Sequence, residues 1–278
     1  MKIEVLHNKG NELNFVLKDS NPALANTLRR LIVSEVPTLA IEDINFLKND
    51  SALYDEMVAH RLGLIPLKTD LKSYELKETC SCKGEGCVKC QVNIKLSSKG
   101  PCIVYSSELH CEDSKIKPVY DNLPITKLIN NQKLEFEAIA IMGNGKQHNK
   151  FSPAFVHYKA VPIIEINDKC KLSGKCVEQC PKDILSIENN KLKIKNLYDC
   201  HLCKACEDVC PNGAIKVTKN DKDFIFYMES HGQLTPKEIL EEAIRIFDNK
   251  LDELTKHLKI SKADTVVSAI KKKIKREK

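Results

Sequence analysis

The sequence contains no tryptophan, and aromatic residues of all kinds make up only 5% of its 278 positions. Proteins that stack single-stranded nucleic acid need such rings, so that class of binder is disfavoured. Long apolar runs are missing too. None exceeds five residues, as in 138–142, whereas a membrane-spanning helix needs about 20. The first ten residues hold no apolar signal core, so export by that route is not expected and a cytoplasmic location is. Charge of one sign is scarce outside one place. The formal net charge is +6, yet residues 271–278 hold six basic residues and one acid, which leaves +1 on the other 270. A near-neutral body with a basic tail does not coat DNA; the tail reads as a solvated end, with a loose phosphate contact as the alternative, so any role of DNA is indirect. Neither a G-x-G-x-x-G nucleotide fingerprint nor an Asp-rich catalytic metal loop occurs.

Cysteine, by contrast, is abundant, at thirteen residues. An odd number in a chain without export features argues against a disulfide framework and for metal. Eleven of the thirteen fall in three tight groups, and Cys102 and Cys111 stand apart as ordinary thiols. Cys200, Cys203, Cys206 and Cys210, followed by Pro211, have the C-x2-C-x2-C-x3-C-P spacing of bacterial ferredoxins, in which the fourth cysteine serves the other cluster. Cys170, Cys176 and Cys180, followed by Pro181, repeat that frame, with Ser173 where a cysteine is expected. The two-cluster rule then assigns a [4Fe–4S] cluster to Cys180, Cys200, Cys203 and Cys206. Three thiolates, Cys170, Cys176 and Cys210, remain for the other site. Its iron facing Ser173 lacks a thiolate, so a [3Fe–4S] cluster is the favoured occupant; an oxygen-ligated iron or an empty site are the alternatives. Residues 163–166 and 191–195 read as short strands, and 183–188 and 214–218 follow the two C-P turns in parallel fashion. That makes an internal repeat of about 30 residues.

The remaining group, Cys80, Cys82, Cys87 and Cys90, is a C-x-C-x4-C-x2-C loop containing Gly84 and Gly86. Four thiolates in so short a loop fit a closed tetrahedral zinc site with a structural role; a redox pair or a third iron site are the competing readings.

Around these groups the pattern is α+β. Residues 2–7 and 12–17 flank Asn8-Lys9-Gly10-Asn11 as an antiparallel hairpin. A helix follows, with Asn21 as N-cap, Pro22 at the first helical position and an apolar stripe of Leu24, Leu28, Leu31 and Ile32. The middle of the chain is strand-rich, with strands expected at 41–46, 92–96, 102–105 and 135–141. After the cysteine repeat come a strand at 224–228 and a capping box, Thr235-Pro-Lys-Glu238, that opens a long helix. Leu240, Ala243, Phe247, Leu251, Leu254 and Leu258 run along that helix as a heptad-like seam, either internal core or a contact with another chain's helices. The two chain ends thus read as halves of one α+β domain, 1–40 plus 222–278. It is split by a strand-rich insert at 41–164 carrying the zinc loop and by a ferredoxin-like two-cluster module at 165–221.

Two stretches carry a family likeness. Residues 21–37, NPALANTLRRLIVSEVP, and 60–67, HRLGLIPL, resemble signature segments of the RNA polymerase alpha family. The four-cysteine loop resembles that of its eukaryotic subunit-3 members, and the ferredoxin-like insertion that of its archaeal subunit-D members. The resemblance covers essentially the whole chain. It implies an alpha-type dimerisation domain and a non-catalytic assembly platform for DNA-directed RNA polymerase. The implied partners are the small subunits L and N and the large catalytic subunits. The implied interface residues are Leu24, Leu28, Leu31, Leu240, Phe247, Leu251 and Leu254. The competing function, a ferredoxin-like electron-transfer subunit of an oxidoreductase, rests on the cluster frame alone and leaves both signature segments unexplained.

Overall fold

The computed structural model describes residues 1–258; the basic segment 271–278 lies outside the described residues. In chain order the strands are β1 (Lys2–Lys9), β2 (Glu12–Lys18), β3 (Thr38–Asn49), β4 (Gln91–Lys99), β5 (Cys102–Tyr105), β6 (His110–Cys111), β7 (Pro124–Leu128), β8 (Lys133–Gly143), β9 (Ala154–Ile166), β10 (Leu185–Glu188), β11 (Lys191–Ile194) and β12 (Ile215–Ser230). The α-helices are α1 (Pro22–Ser34), α2 (Asp55–Gly63), α3 (Lys175–Glu178), α4 (Ala205–Asp208) and α5 (Pro236–His257). No described helix is long and apolar enough to cross a membrane. The chain divides into two compact units, one of Met1–Asn8, Leu13–Thr27 and His157–Tyr227, the other of Lys9–Glu12, Leu28–Val156 and Met228 onward.

In the first unit a hairpin, β1–β2, joins β12 and β9 in one sheet of order β1-β2-β12-β9. Gly10, at a φ of 58°, supplies the left-handed residue that the tight turn requires. Phe15 of β2 stacks on Phe226 of β12 at 4.9 Å between ring centroids, and Tyr158 of β9 stacks on the same Phe226 at 5.2 Å. β1 is exposed along its whole length and forms the sheet edge. Asn21 caps α1 by accepting the Leu24 amide at 2.9 Å.

The cysteine repeat also lies in this unit. Its two halves share an irregular backbone: Leu172, Gly174 and Asp183 have positive φ, and so do Leu202, Lys204 and Gly213, each thirty residues on. A short helix follows in each half, α3 and then α4. The buried residues at its centre are Cys176, Cys180, Cys200 and Cys206 among Ile184, Leu185, Ile215 and Val217.

The second unit is built on the sheet β3-β8-β4-β6. β4 pairs antiparallel with β8 from Gln91↔Ile141 to Lys99↔Lys133, and β3 pairs with the other edge of β8 with two register shifts. Alternate residues of β4 and β8, among them Val92, Ile94, Leu96, Leu134, Phe136, Ala138 and Ala140, face one core shared with Val58 and Leu62 of α2. α5 opens on the capping box, with Thr235 accepting the Glu238 amide and Glu238 accepting the Thr235 amide at 2.9 Å.

Several elements differ from the sequence expectation. The strand expected at 224–228 is part of a longer one, β12, which begins at Ile215, because the polar run 219–223 continues the extended backbone. β9 likewise starts well before 163. α2, which overlaps the HRLGLIPL stretch, is a helix that periodicity did not reveal. The fully buried positions of α1 include Ala25 and Ile32, while Leu24 and Leu28 are half-buried and Leu31 is buried. On α5 the buried apolar residues are Pro236, Ile239 and Ala243. Leu240, Phe247 and Leu251 are half-buried, and Leu254 and Leu258 are 52% and 56% exposed.

Candidate metal centres

The four cysteines of the first group converge on one point. Cys80 lies between β-turns that start its loop, Cys90 directly precedes β4, and their Sγ atoms with those of Cys82 and Cys87 all lie within 4.8 Å of one another. Two turns shape the loop: the Lys83 amide donates to the Cys80 carbonyl at 3.0 Å, and the Cys90 amide to the Cys87 carbonyl at 2.9 Å. The Sγ separations are 3.5 Å for Cys80–Cys87, 3.6 Å for Cys82–Cys90 and 3.9 Å for Cys87–Cys90. A tetrahedron with Zn–S bonds of about 2.3 Å has edges of about 3.8 Å, close to these three separations, so the donor set fits zinc.

The thiols of this loop are electrostatically unequal. Amide donation from Gly86, opposed by burial and helped by the Gly84 amide and the Cys80 and Cys90 side chains, brings Cys82 down to about 6. Burial pushes Cys90 up to about 12, with Cys82, Cys87 and Cys80 adding to the rise against the Cys87 amide. Gly86 reaches its position with a φ of 98°, closed to ordinary side chains.

In the repeat, two cavities gather the remaining grouped cysteines. One is lined by Cys180, Cys200, Cys203 and Cys206 together with Pro181, Lys204 and Val217. The other is lined by Cys170, Cys176 and Cys210 together with Ser173, Gly174 and Pro211. Each cavity therefore combines cysteines from both halves of the repeat. Each loop carries left-handed residues, Leu172 and Gly174 in one and Leu202 and Lys204 in the other.

Proton affinities follow the same grouping. Burial raises Cys206 to about 11, and Cys180, Cys200 and Cys203 act on it in the same direction. Burial likewise raises Cys176, with Cys170 and Cys210 adding to it. For Cys210 burial is opposed and outweighed by the amides of Ala214, Asn212, Ile215 and Gly213, so this thiol is held below its ordinary value. These amides went unnoticed in the sequence, where the only signal was the turn-forming Pro211-Asn-Gly that aims them. Cys-rich cavities with preset amide donors suit an iron–sulfur cluster, whose bridging and terminal sulfurs are anionic acceptors. Cys102 and Cys111 lie outside all three groups, on β5 and β6, and burial raises Cys111 to about 11.

Comparison with known proteins agrees with both halves of this description. Residues 41–163 match the family described as RNA polymerase Rpb3/RpoA insert domain, and residues 166–215 match the 4Fe-4S dicluster domain. Among curated relatives, the DNA-directed RNA polymerase subunit Rpo3 of Archaeoglobus fulgidus is 38% identical over 256 residues, covering 92% of this chain and 97% of the relative. The Rpo3 subunit of Methanosarcina acetivorans is 42% identical over 258 residues, covering 91% and 97%. That of Pyrococcus furiosus is 34% identical over 269 residues, covering 93% and 97%. With an insert domain, a dicluster domain and full-length relatives of one kind, the chain belongs to the Rpo3 family of DNA-directed RNA polymerase subunits.

Proposed function

We propose that this chain is the assembly platform of a cytoplasmic DNA-directed RNA polymerase, pairing with the small subunit L and docking subunit N and the large catalytic subunits. The observation that supports platform rather than carrier is α5: its seam of Leu240, Phe247, Leu251 and Leu254 is left half-buried or exposed by the chain itself, while Ile239 and Ala243 serve the interior. With Leu24, Leu28 and Leu31 of α1, these are the residues assigned to the partner helices. In this reading 1–40 and 222–278 make the dimerisation domain, 41–164 the insert and 165–221 the cluster module.

The test is capture of L and N by the tagged full chain, prepared without oxygen. Leu254→Glu changes the stability of the chain alone by less than about 0.5 kcal/mol, as is usual for an exposed position. Its capture of L falls at least tenfold. Undiminished capture removes the seam from the interface.

The cofactor assignment belongs to the same proposal. Zinc sits at Cys80, Cys82, Cys87 and Cys90; a [4Fe–4S] cluster at Cys180, Cys200, Cys203 and Cys206; and a [3Fe–4S] cluster at Cys170, Cys176 and Cys210. Ligand free energy becomes folding free energy in such sites, so the clusters brace the module and their loss to oxidation weakens assembly. Ser173→Cys supplies the absent thiolate and converts the second cluster to [4Fe–4S]. The readout is loss of the [3Fe–4S] paramagnetic signal of the oxidised protein, with iron rising by one per chain. An unchanged signal and iron count contradict the assignment.

A further inference from the structure

The turn that delivers Cys200 is tied to the sheet by a group of side chains that no metal assignment uses. Leu197–Asp199 form a single 3-10 turn ending at Cys200, capped by Asn196, whose side-chain oxygen accepts the Tyr198 amide at 3.2 Å. From β12, the Tyr227 hydroxyl donates to the Tyr198 carbonyl at 3.2 Å. The Tyr227 ring is itself contacted by two residues of β9. His157 stacks on it at 5.0 Å with the planes 11° apart, and the Lys159 Nζ lies 5.3 Å from its centroid. β9 and β12 are neighbours in the sheet, so the three side chains stand on a regular surface rather than on the loop they hold.

The same contacts bring a charge to the Cys200 turn, because the Lys159 Nζ lies over the ring whose hydroxyl holds the Tyr198 carbonyl, two residues before Cys200. The groups that act on the partly buried Lys159 are Cys200 and Asp199, which favour its ammonium form, and Lys182, which opposes it, after burial has lowered its affinity for the proton. A site of four thiolates around a [4Fe–4S] core is net negative, and its reduction adds one more negative charge. A fixed cation nearby therefore favours the reduced form, because cluster potential follows local charge, hydrogen bonding and exposure.

We propose that Tyr227 is a positioning residue for the site at Cys180, Cys200, Cys203 and Cys206, and that Lys159, seated over its ring, raises the potential of the cluster held there. The proposal rests on the cluster assignment above. The division of labour is specific: the tyrosine hydroxyl fixes where Cys200 stands, and the lysine charge sets how readily the cluster takes an electron.

The experiment is a redox titration of the full chain, purified without oxygen and followed by electron paramagnetic resonance, on the wild type, Lys159→Met, Lys159→Arg and Tyr227→Phe. Lys159→Met makes reduction of the [4Fe–4S] cluster about tenfold less favourable, about 59 mV for one electron. Lys159→Arg keeps the charge and the ring contact and stays near the wild-type value, and the signal of the site at Cys170, Cys176 and Cys210 moves less. Tyr227→Phe keeps the ring beneath the lysine, so its potential stays put. It surrenders iron to a chelator about fivefold faster, the effect of one lost hydrogen bond. Lys159→Gln is the second neutral variant if Lys159→Met fails to retain a cluster.

Equal potentials in wild type and the neutral lysine variants overturn the electrostatic role, as does an equal shift in Lys159→Arg. Unchanged iron release from Tyr227→Phe overturns the positioning role. A wild-type chain that shows no [4Fe–4S] signal overturns the cluster assignment itself, and is told apart because it precedes any comparison of variants.

Discussion

Cys82 and Cys90 belong to the same four-cysteine group with opposite proton affinities, one brought down to about 6 and the other pushed up to about 12. A metal must find thiolates, so at pH 7 the zinc proposed for this group would enter beside a Cys82 that is already largely ionised and would expel the proton of Cys90. Zinc binding to the metal-free protein at pH 7 should therefore release fewer than four protons. Calorimetry in two buffers of different ionisation heat measures the number. Affinity should also weaken as pH falls through the Cys82 value, because one more proton must then be displaced. Release of four protons at pH 7 would show that Cys82 starts as a thiol. The gathering of the four cysteines was legible in the sequence, since cysteine type and spacing are what a tetrahedral thiolate loop demands. The inequality among them was not. It comes from the direction of the Gly86 amide, which depends on a backbone φ of 98° that spacing does not encode.

At the scale of the element, α5 is the clearest case of a pattern with two meanings. Its seam was readable as a heptad-like row, and its start was readable from Thr235 and Glu238, because caps are local chemistry. Which part of the apolar surface is interior was not readable, because Ile239 lies off that row yet is fully buried. The charged side of the helix also carries a link that periodicity cannot show. Glu35, just beyond α1, accepts from Lys250 of α5 at 2.8 Å and pairs with Lys146 at 3.1 Å. Burial works to raise the Glu35 carboxyl, and the two lysines overcome it, so it ends below its ordinary 4.5. A depressed folded value stabilises the protein above the ordinary carboxyl value, and that stabilisation is lost as pH falls through the folded one. Glu35→Gln should accordingly lower stability at pH 7 and erase part of the acid sensitivity below about pH 4.5. Parallel denaturation curves at pH 7 and pH 3.5 check this, and an equal deficit at both would locate the loss in packing instead of charge.

For the whole molecule, the sequence revealed more about the sites than about the framework between them. Both cysteine repeats were legible because metal ligation constrains residue type at fixed spacing. The continuity of β12 through the polar segment 219–223 was hidden, since extended backbone with both faces partly solvated carries no alternation to detect. β9 was shortened for a similar reason: its central residues are half-buried and keep no strict alternation. The cysteine repeat differs from the second unit in what holds it. The second unit has a core of aliphatic and aromatic side chains on β3, β4, β8 and α2, whereas the cysteine repeat is centred on thiols around two cavities. Anaerobic removal of iron should thus remove protection from residues 168–217 and leave that of β4 and β8 intact, a contrast that hydrogen exchange resolves segment by segment. Uniform loss of protection would mean that the clusters stabilise the entire chain.

The crossed membership of the two cavities has an evolutionary consequence. If the repeat arose by duplication, the copies could not afterwards drift independently, because Cys180 belongs by sequence to the first copy and by location to the second copy's cavity, and Cys210 the reverse. Each copy guards its last cysteine on behalf of its twin, while the three before it answer only to their own loop. Ser173 stands at one of those unshared positions, where a change in one copy leaves the other's cavity with all four of its cysteines.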